Sequence, residues 1–571
     1  MKKYVKKLMA VTLAGSLLLT PFNYVCARRD SAALLKQDSF TTTSKIYDSG
    51  SKKTINKTFY HNNYYKNHKL FKGLDVSWWQ SSDKKNTKVN WAQAHADGID
   101  FAFIRIGARK TDSTGALYED TTANSNITQA LANNVNVGVY FFSQAKSVTE
   151  AKKEAAYTLK ILDKYDWNIT LPVVFDYEFS NRLKAGQLSK STMTKICQAY
   201  CDAIEEGGYT PMIYANYTMF KNYLNATSLA NDYKIWLARY SKTTTSNVLS
   251  TSEAIPYADI PYKYEFWQFA STARVNGYSG NLDANYWYKN TNVKTENLGA
   301  EESKTDSITL SWEDADDAQN YRVYRFNPET QSYQAIADVD DTVFTDTGLS
   351  AGQTYSYKVR CYWRIGGTNY FGNYSDILDA STKPEQVANV SVSKRNTNNL
   401  TLSWDKVTGA TNYNIYQYNN ENDSYDKIGT VDGSTTSYTV TNLTSASEYT
   451  FKVRASKTIA EETLLGSYSD EFVTYTRPKK VTGLKVKSTI KKQATVSFAK
   501  VARADHYSIY RYDKKSDKWT FVTTLKNSAT TYTDKNLISK RTYQYRIRAY
   551  LTTDNGKIFS YYNEPVSVKI K

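Results

Sequence analysis

The C-terminal half of this chain repeats itself, and that repetition constrains its fold more tightly than any other feature. Tyr321-Arg-Val-Tyr324-Arg-Phe326, Tyr413-Asn-Ile-Tyr416-Gln-Tyr418 and Tyr507-Ser-Ile-Tyr510-Arg-Tyr512 recur at separations of 92 and 94 residues. Trp312, Trp404 or Phe498 precedes each copy, and Tyr355-Ser-Tyr-Lys-Val-Arg360, Tyr449-Thr-Phe-Lys-Val-Arg454 or Tyr543-Gln-Tyr-Arg-Ile-Arg548 follows it. A period of this length is domain-sized, so each copy can close a core of its own, unlike short repeats that are stable only when stacked. Alternation of apolar and polar residues means strands. Residues 300–571 are therefore expected to hold three all-β modules, 300–383, 384–477 and 478–571, with Pro384 and Pro478 at the joints.

An early-strand core aromatic, with Leu349, Leu443 and Leu537 each six residues before a late-strand tyrosine, gives these segments a second signature. In it they resemble the immunoglobulin-like sandwiches of fibronectin type III modules with their tyrosine corner.

Residues 70–290 obey another rule. Short apolar runs at 72–77, 100–106, 135–142, 171–178, 211–215, 234–240 and 265–269 read as strands, and helical spacing separates several of them. The clearest helices are Val148 to Tyr165 and Ser189 to Glu206, the latter stopped by Gly207-Gly208. Alternation over about 220 residues predicts a β/α barrel or a doubly wound sheet, and the length favours the barrel. Ahead of it, Lys2, Lys3, Lys6 and Lys7 precede an apolar stretch from Leu8 to Thr20 and the small-residue site Val25-Cys26-Ala27, so 1–27 reads as a cleaved secretion signal. Residues 28–69 are polar and aperiodic, and read as an exposed leader or linker.

Charge and cysteine content narrow the function classes. The formal charge of +17 divides into +4 for 1–27, +6 for 28–69, +2 for 70–290 and +5 for 291–571. On that division no folded segment is strongly basic, and nucleic-acid binding is not expected. Past the signal only Cys197, Cys201 and Cys361 remain, too few for a disulfide framework and expected to be buried. The histidines, His61, His68, His95 and His506, are scattered, so neither a metal site nor a cofactor is expected.

Acidic residues stand at the ends of the strand runs: Asp75, Asp176, Glu178 and Asp283. Asp176 and Glu178 are two apart on one strand, so they share a face with Cα atoms roughly 6–7 Å apart. Two shaded carboxylates that close do not both ionise freely, and one holds its proton near neutral pH. An acid beside a carboxylate is what glycosidic cleavage needs. The same pattern also fits surface carboxylates, a structural ion pair or a calcium site.

In order along the chain stand Gly73-Leu-Asp-Val-Ser-Trp-Trp-Gln80, Phe101-Ala-Phe-Ile-Arg-Ile-Gly107, Val137-Gly-Val-Tyr-Phe-Phe-Ser143, Leu171-Pro-Val-Val-Phe-Asp-Tyr-Glu178, Ile213-Tyr-Ala-Asn216 and Trp267-Gln-Phe269 to Asp283. This series resembles the family 25 glycoside hydrolases, lysozymes of the N-acetylmuramidase type. The resemblance implies an irregular, TIM-like β/α barrel that hydrolyses the β-1,4 bond between N-acetylmuramic acid and N-acetylglucosamine. By the same resemblance Glu178 is the general acid. Asp176 is its partner, orienting the substrate's N-acetyl group or acting as a base toward water, and Asp75 and Asp283 line the pocket. Tyr140, Tyr214, Trp236 and Trp267 sit at family positions and are either sugar platforms or barrel core. Arg105, inside an apolar run, is expected to pair with an interior acid. The departure from the family pattern is Ser81 and the polar loop Ser82 to Lys88, where Gly commonly follows Gln80.

The chain is thus expected to be a secreted or wall-associated monomer that acts on peptidoglycan glycan strands. Its basic leader and repeats would contact anionic wall polymers, and it has no integral membrane anchor. The competing reading is a non-catalytic wall-binding or adhesion protein on the same barrel.

Overall fold

The computed structural model describes residues 39–48, 51–81, 88–240, 262–315 and 317–571. The expected secretion signal and most of the polar loop after Ser81 lie outside them. The chain divides into two compact units, one of residues through Thr295 with Asp314–Tyr321 and Arg360–Tyr374, the other of the remainder.

The first unit is built on strands β1 (Ser39–Asp48), β2 (Lys53–Asn62), β3 (Lys69–Val76), β4 (Phe101–Arg109), β5 (Leu117–Glu119), β6 (Asn136–Ser143), β7 (Val173–Tyr177), β8 (Pro211–Asn216), β9 (Lys234–Ala238), β10 (Phe266–Ala273) and β11 (Leu282–Lys289). Helices α1 (Trp78–Ser81), α2 (Trp91–Ala96), α3 (Ala123–Ala132), α4 (Val148–Tyr165), α5 (Lys190–Glu206), α6 (Tyr217–Asn222) and α7 (Ala226–Asp232) lie between them. Strands β3, β4 and β6 to β10 pair in parallel. β11 pairs antiparallel with both β10 and β3 and closes an eight-stranded barrel.

Strand parity divides the side chains. Leu74, Val76, Ile104, Val139, Phe175, Ile213 and Leu237 belong to the buried apolar layer shared with the outer elements. The alternate positions turn inward, where Phe103 stacks on Trp236 with ring centroids 4.5 Å apart. A Cβ on Gly138 would lie 2.4 Å from the Phe103 ring, so only glycine lets that ring occupy the interior. The two long helices start where a serine side chain accepts a backbone N–H: Ser147 from Glu150, ahead of α4, and Ser189 from Thr192, ahead of α5.

The leader expected over 28–69 is structured from residue 39 onward. β1 and β2 form a hairpin, β1 pairs with β10 at Ile46–Ala273, and Phe59 is fully buried against Phe269, Trp267 and Tyr286. The hairpin's inward polar groups are satisfied by the barrel. Ser44 Oγ lies 2.7 Å from Tyr286 Oη, Thr42 Oγ1 donates to that same oxygen at 2.8 Å, and His61 Nδ1 lies 2.7 Å from Tyr288 Oη. Residues 39–62 are therefore part of the barrel unit and not a linker.

Segments 314–321 and 360–374 also belong to this unit. The Asn136 amide donates to Arg364 O at 2.9 Å and its oxygen accepts from Gly366 N at 3.0 Å, while Lys234 pairs with Glu265 at 2.7 Å and also with Asp317.

Beyond the barrel a three-stranded and a five-stranded antiparallel sheet alternate three times. The second repeat closes around Trp404, Tyr413, Ile415, Phe451 and Val453, and the third around Phe498, Tyr507, Ile509, Tyr545 and Ile547. Tyr355 and Tyr449 accept the backbone N–H of Ser350 and Thr444, both at 2.8 Å, which is the hydrogen bond of a tyrosine corner.

Candidate active site

The C-terminal ends of the barrel strands open into a cavity of about 660 Å³. Its lining includes all four acids singled out from sequence: Asp75 from β3, Asp176 and Glu178 from the end of β7, and Asp283 from β11. Asp283 and Asp75 face each other directly across the β11–β3 pairing. Like charges so placed repel, and burial removes the water that would screen them. Burial first, then the charges of Asp75 and Glu178, push the Asp283 carboxyl up to about 8.

Asp75 is held differently. Its Oδ2 accepts from Gln268 Nε2 and from Asn285 Nδ2, both at 2.8 Å. These amides are locked in turn. Tyr214 Oη and Tyr240 Oη donate to Gln268 Oε1 at 2.8 and 2.6 Å, and Trp236 Nε1 donates to Asn285 Oδ1 at 2.8 Å. Each amide oxygen already accepts a hydrogen bond, so each NH2 is obliged to face Asp75. Burial raises the Asp75 carboxyl, the two amides oppose it, and the balance lies at about 6.

Asp176 and Glu178 lie close enough to share a hydrogen bond, which requires a proton on one of the two. Burial and the neighbouring Glu178 charge hold Asp176 well above the usual carboxylate range, and burial also raises Glu178. Asp176 Oδ1 is buried with no hydrogen-bond partner among the described residues. An orphan oxygen beside a cavity is a place for a substrate donor.

Tyr140, Tyr214 and Trp236 line the same cavity. Trp267 does not. On β10 the inward residues are Phe266 and Gln268, so Trp267 points outward, packs edge-on to Phe59 and donates from Nε1 to Arg239 O at 3.0 Å. Of the two readings open for Trp267, sugar platform or barrel core, that parity leaves only the core, and Gln268 takes the inward place. Arg105 reaches the cavity wall but is committed to Asp120, with Nε to Oδ2 at 2.8 Å and the acid fully buried. Gln268, Asn285 and Tyr240 are not among the site residues named from sequence, although Gln268 lies inside the Trp267–Phe269 motif. Counting alternate positions from Asp283 along β11 would have found Asn285. At the rim Trp79 is 58% exposed, and Gln80 Nε2 reaches Asp283 Oδ2 at 3.5 Å.

Residues 74–278 match the family model of the glycosyl hydrolases family 25, and residues 383–464 match that of the fibronectin type III domain. Lysozyme M1 of Streptomyces globisporus is 25% identical over 219 residues, 37% of this chain and 66% of that protein. The lysozyme of Lactococcus phage mv1 is 26% identical over 219 residues, 38% of this chain and 93% of the phage protein. The solved spore cortex lytic enzyme SleM of Clostridium perfringens aligns at 17% identity and a TM-score of 0.35, covering 55% of this chain and 98% of that one. The chain thus spans just under two thirds of the Streptomyces enzyme's length.

Proposed function

Residues 74–278 are a family 25 glycoside hydrolase domain, and from that premise we propose that the chain is an exported peptidoglycan hydrolase. It cleaves the β-1,4 bond between N-acetylmuramic acid and N-acetylglucosamine. In this reading the domain is an irregular TIM-like barrel followed by three fibronectin type III-like modules, and residues 1–27 direct export. The observation that carries it is the carboxyl pair at the end of β7, hydrogen-bonded together beside two further acids in one cavity.

The chemistry follows from where the proton rests. Burial raises both Asp176 and Glu178, and repulsion from Glu178 adds to it at Asp176, so the pair holds a proton between them. A bound 2-acetamido sugar presents an N–H that Asp176 accepts as an anion, which leaves the pair's proton on Glu178. Glu178 then protonates the leaving oxygen while the acetamido oxygen attacks the anomeric carbon. The positive charge that develops is faced by the Asp176 carboxylate and by Asp75, which its two amides favour as an anion. Water opens the intermediate, and Glu178 takes its proton. The exposed rim residue Trp79 supplies a ring face for the sugars, while Tyr140, Tyr214 and Trp236 form the cavity wall beneath it. Substrate partners are glycan strands of the wall.

The test is digestion of purified walls by the wild type and Glu178→Gln, with products identified by mass. The amide has no proton to give, so release of fragments with new muramic acid reducing ends falls by about two to four orders of magnitude while the protein stays folded. Retention of more than about a tenth of the activity removes Glu178 from the role of acid.

A further inference from the structure

Charge is far from even along the repeats. Residues 291–383 hold eight Lys and Arg against 15 Asp and Glu, residues 384–477 hold eight against 11, and residues 478–571 hold 21 against six. The third repeat alone therefore carries +15 on 94 residues, and the expectation that no folded segment is strongly basic fails there. Two acidic neighbours conceal it in the sum. Three of its six acids are already engaged, Asp534 by Arg511 at 2.7 Å, Asp513 by Arg541 at 2.6 Å and Glu564 by Lys480 at 3.0 Å. Lysines such as Lys485, Lys514, Lys515 and Lys518 stand exposed.

One face of this repeat is organised around two arginines. Along the strand Thr542–Thr553, Tyr545, Ile547 and Ala549 are buried, and Arg546 and Arg548 alternate with them on the other face. The Arg546 guanidinium carbon lies 4.1 Å from the Trp519 ring centre and 3.9 Å from that of Tyr562; that of Arg548 lies 3.6 Å from the Phe559 ring centre. Arg548 Nη2 donates to Tyr510 Oη at 2.9 Å. Neither arginine forms an ion pair among the described residues. At the corresponding places in the second repeat stand Lys452 and Arg454, and there Glu471 neutralises Lys452 at 3.1 Å. Ninety-four residues on from Glu471 the third repeat has Pro565. The third repeat keeps the ring-stacked cations and lacks the acid.

We propose that the third repeat is the chain's wall-holding module, and that its Arg546/Arg548 face binds a linear, phosphodiester-linked polyol polymer carried on the wall. Stacked rings fix each guanidinium plane, each Nε is buried without a hydrogen-bond partner among the described residues, and the two half-buried cations, which have no acid beside them, are left for contact with phosphate. The surrounding lysines add many weak contacts that sum along a chain of regularly spaced charges. Choice of a wall polymer over other polyanions rests on the proposed function, which puts the protein on the wall.

The experiment uses the full chain and measures binding to poly(glycerol phosphate), and cosedimentation with purified walls before and after extraction of their phosphate polymer. Expected are binding that weakens steeply with salt, and at least about tenfold weaker retention on extracted walls. Arg546→Gln with Arg548→Gln should weaken poly(glycerol phosphate) binding about tenfold or more and lower the salt slope by about two, with turnover on soluble glycans unchanged. Because those arginines pack on rings, Lys514→Glu with Lys515→Glu and Lys518→Glu provides a second variant on exposed positions, and it should weaken binding in the same direction. The proposal is overturned if folded variants bind undiminished, or if extracted walls retain the protein equally. It is also overturned if a single-stranded oligonucleotide or anionic phosphatidylglycerol vesicles bind as tightly as the polyol phosphate. Undiminished binding by a chain that releases no wall fragments would instead defeat the proposed function and leave this inference standing.

Discussion

Buried carboxylates occur both in the barrel and in the repeats, and their surroundings differ in kind. In the first repeat Asp346 accepts from Arg325 at 2.7 Å and from Tyr357 at 2.8 Å. In the third, Asp534 accepts from Arg511 and Tyr545, both at 2.7 Å. At the three corresponding positions the second repeat has Val440, Gln417 and Phe451, so the whole set is exchanged together for groups that need no charge partner. That is how a structural ion pair behaves, since its members are costly to separate and cheap to replace as a unit. The barrel mouth gathers four acids from three strands, and the nearby Arg105 is spent on Asp120. Buried charge with a matched partner holds a fold, whereas buried charge crowded with its own kind holds protons ready to move.

The largest effect expected from this contrast is on catalysis. Asp176→Asn should lower turnover on soluble glycans by about two to three orders of magnitude. It should also leave one ionisation in the pH profile where the wild type shows two coupled ones. The same change at Asp534 should leave turnover untouched. Equal losses at both positions would erase the distinction.

A second effect concerns stability and pH. The folded state binds the Asp283 proton more tightly than the unfolded chain, whose aspartates titrate near pH 4. The stability so contributed is complete below about pH 4 and is lost as pH rises through about 8. Asp283→Asn should therefore stabilise the barrel by about 1–3 kcal/mol at pH 9 and change little at pH 4. Denaturant unfolding at the two pH values checks the sign, and destabilisation at pH 9 would show that Asp283 has a hidden partner.

Asn285→Leu removes one of the two amide donors to Asp75, whose carboxyl should climb further above 6. The acid limb of the kcat/KM profile should shift to higher pH, with about a tenfold loss near pH 7. A uniform loss at all pH values would mean that Asn285 only fills space.

The smallest effect is expected from making the third repeat resemble the second. Arg511→Gln, Asp534→Val and Tyr545→Phe together should change stability by less than about 1 kcal/mol, whereas Asp534→Val alone should cost about 2–3 kcal/mol by stranding Arg511 and Tyr545. Thermal unfolding of both variants decides it.

Much of the architecture is legible in sequence because it is written in local periodicity. Helix α4 has the expected ends, Val148 and Tyr165, since a serine cap and an apolar stripe are both contiguous signals. The β1–β2 hairpin escaped because its inward residues include Thr42, Ser44 and His61, which read as surface until Tyr286 and Tyr288 satisfy them. For Trp267 the family position left sugar platform and barrel core open, and one step of strand parity turned it to the outer core.

By itself, then, the sequence determined the strand and helix grammar of the barrel, the triple repeat, and the acids at the ends of three strands, all features carried within a few residues of one another. Tertiary structure alone decided which of these meet. Asp75 and Asp283 are 208 positions apart in the chain, yet the β11–β3 register sets them face to face, and burial together with the neighbouring carboxylates raises Asp283 to about 8. Gln268 and Asn285 became part of the site for the same reason. Their amides are ordinary in sequence, and only barrel closure brings Tyr214, Tyr240 and Trp236 onto the oxygens that orient them, because hydrogen bonds between distant strands are fixed by register and not by local pattern.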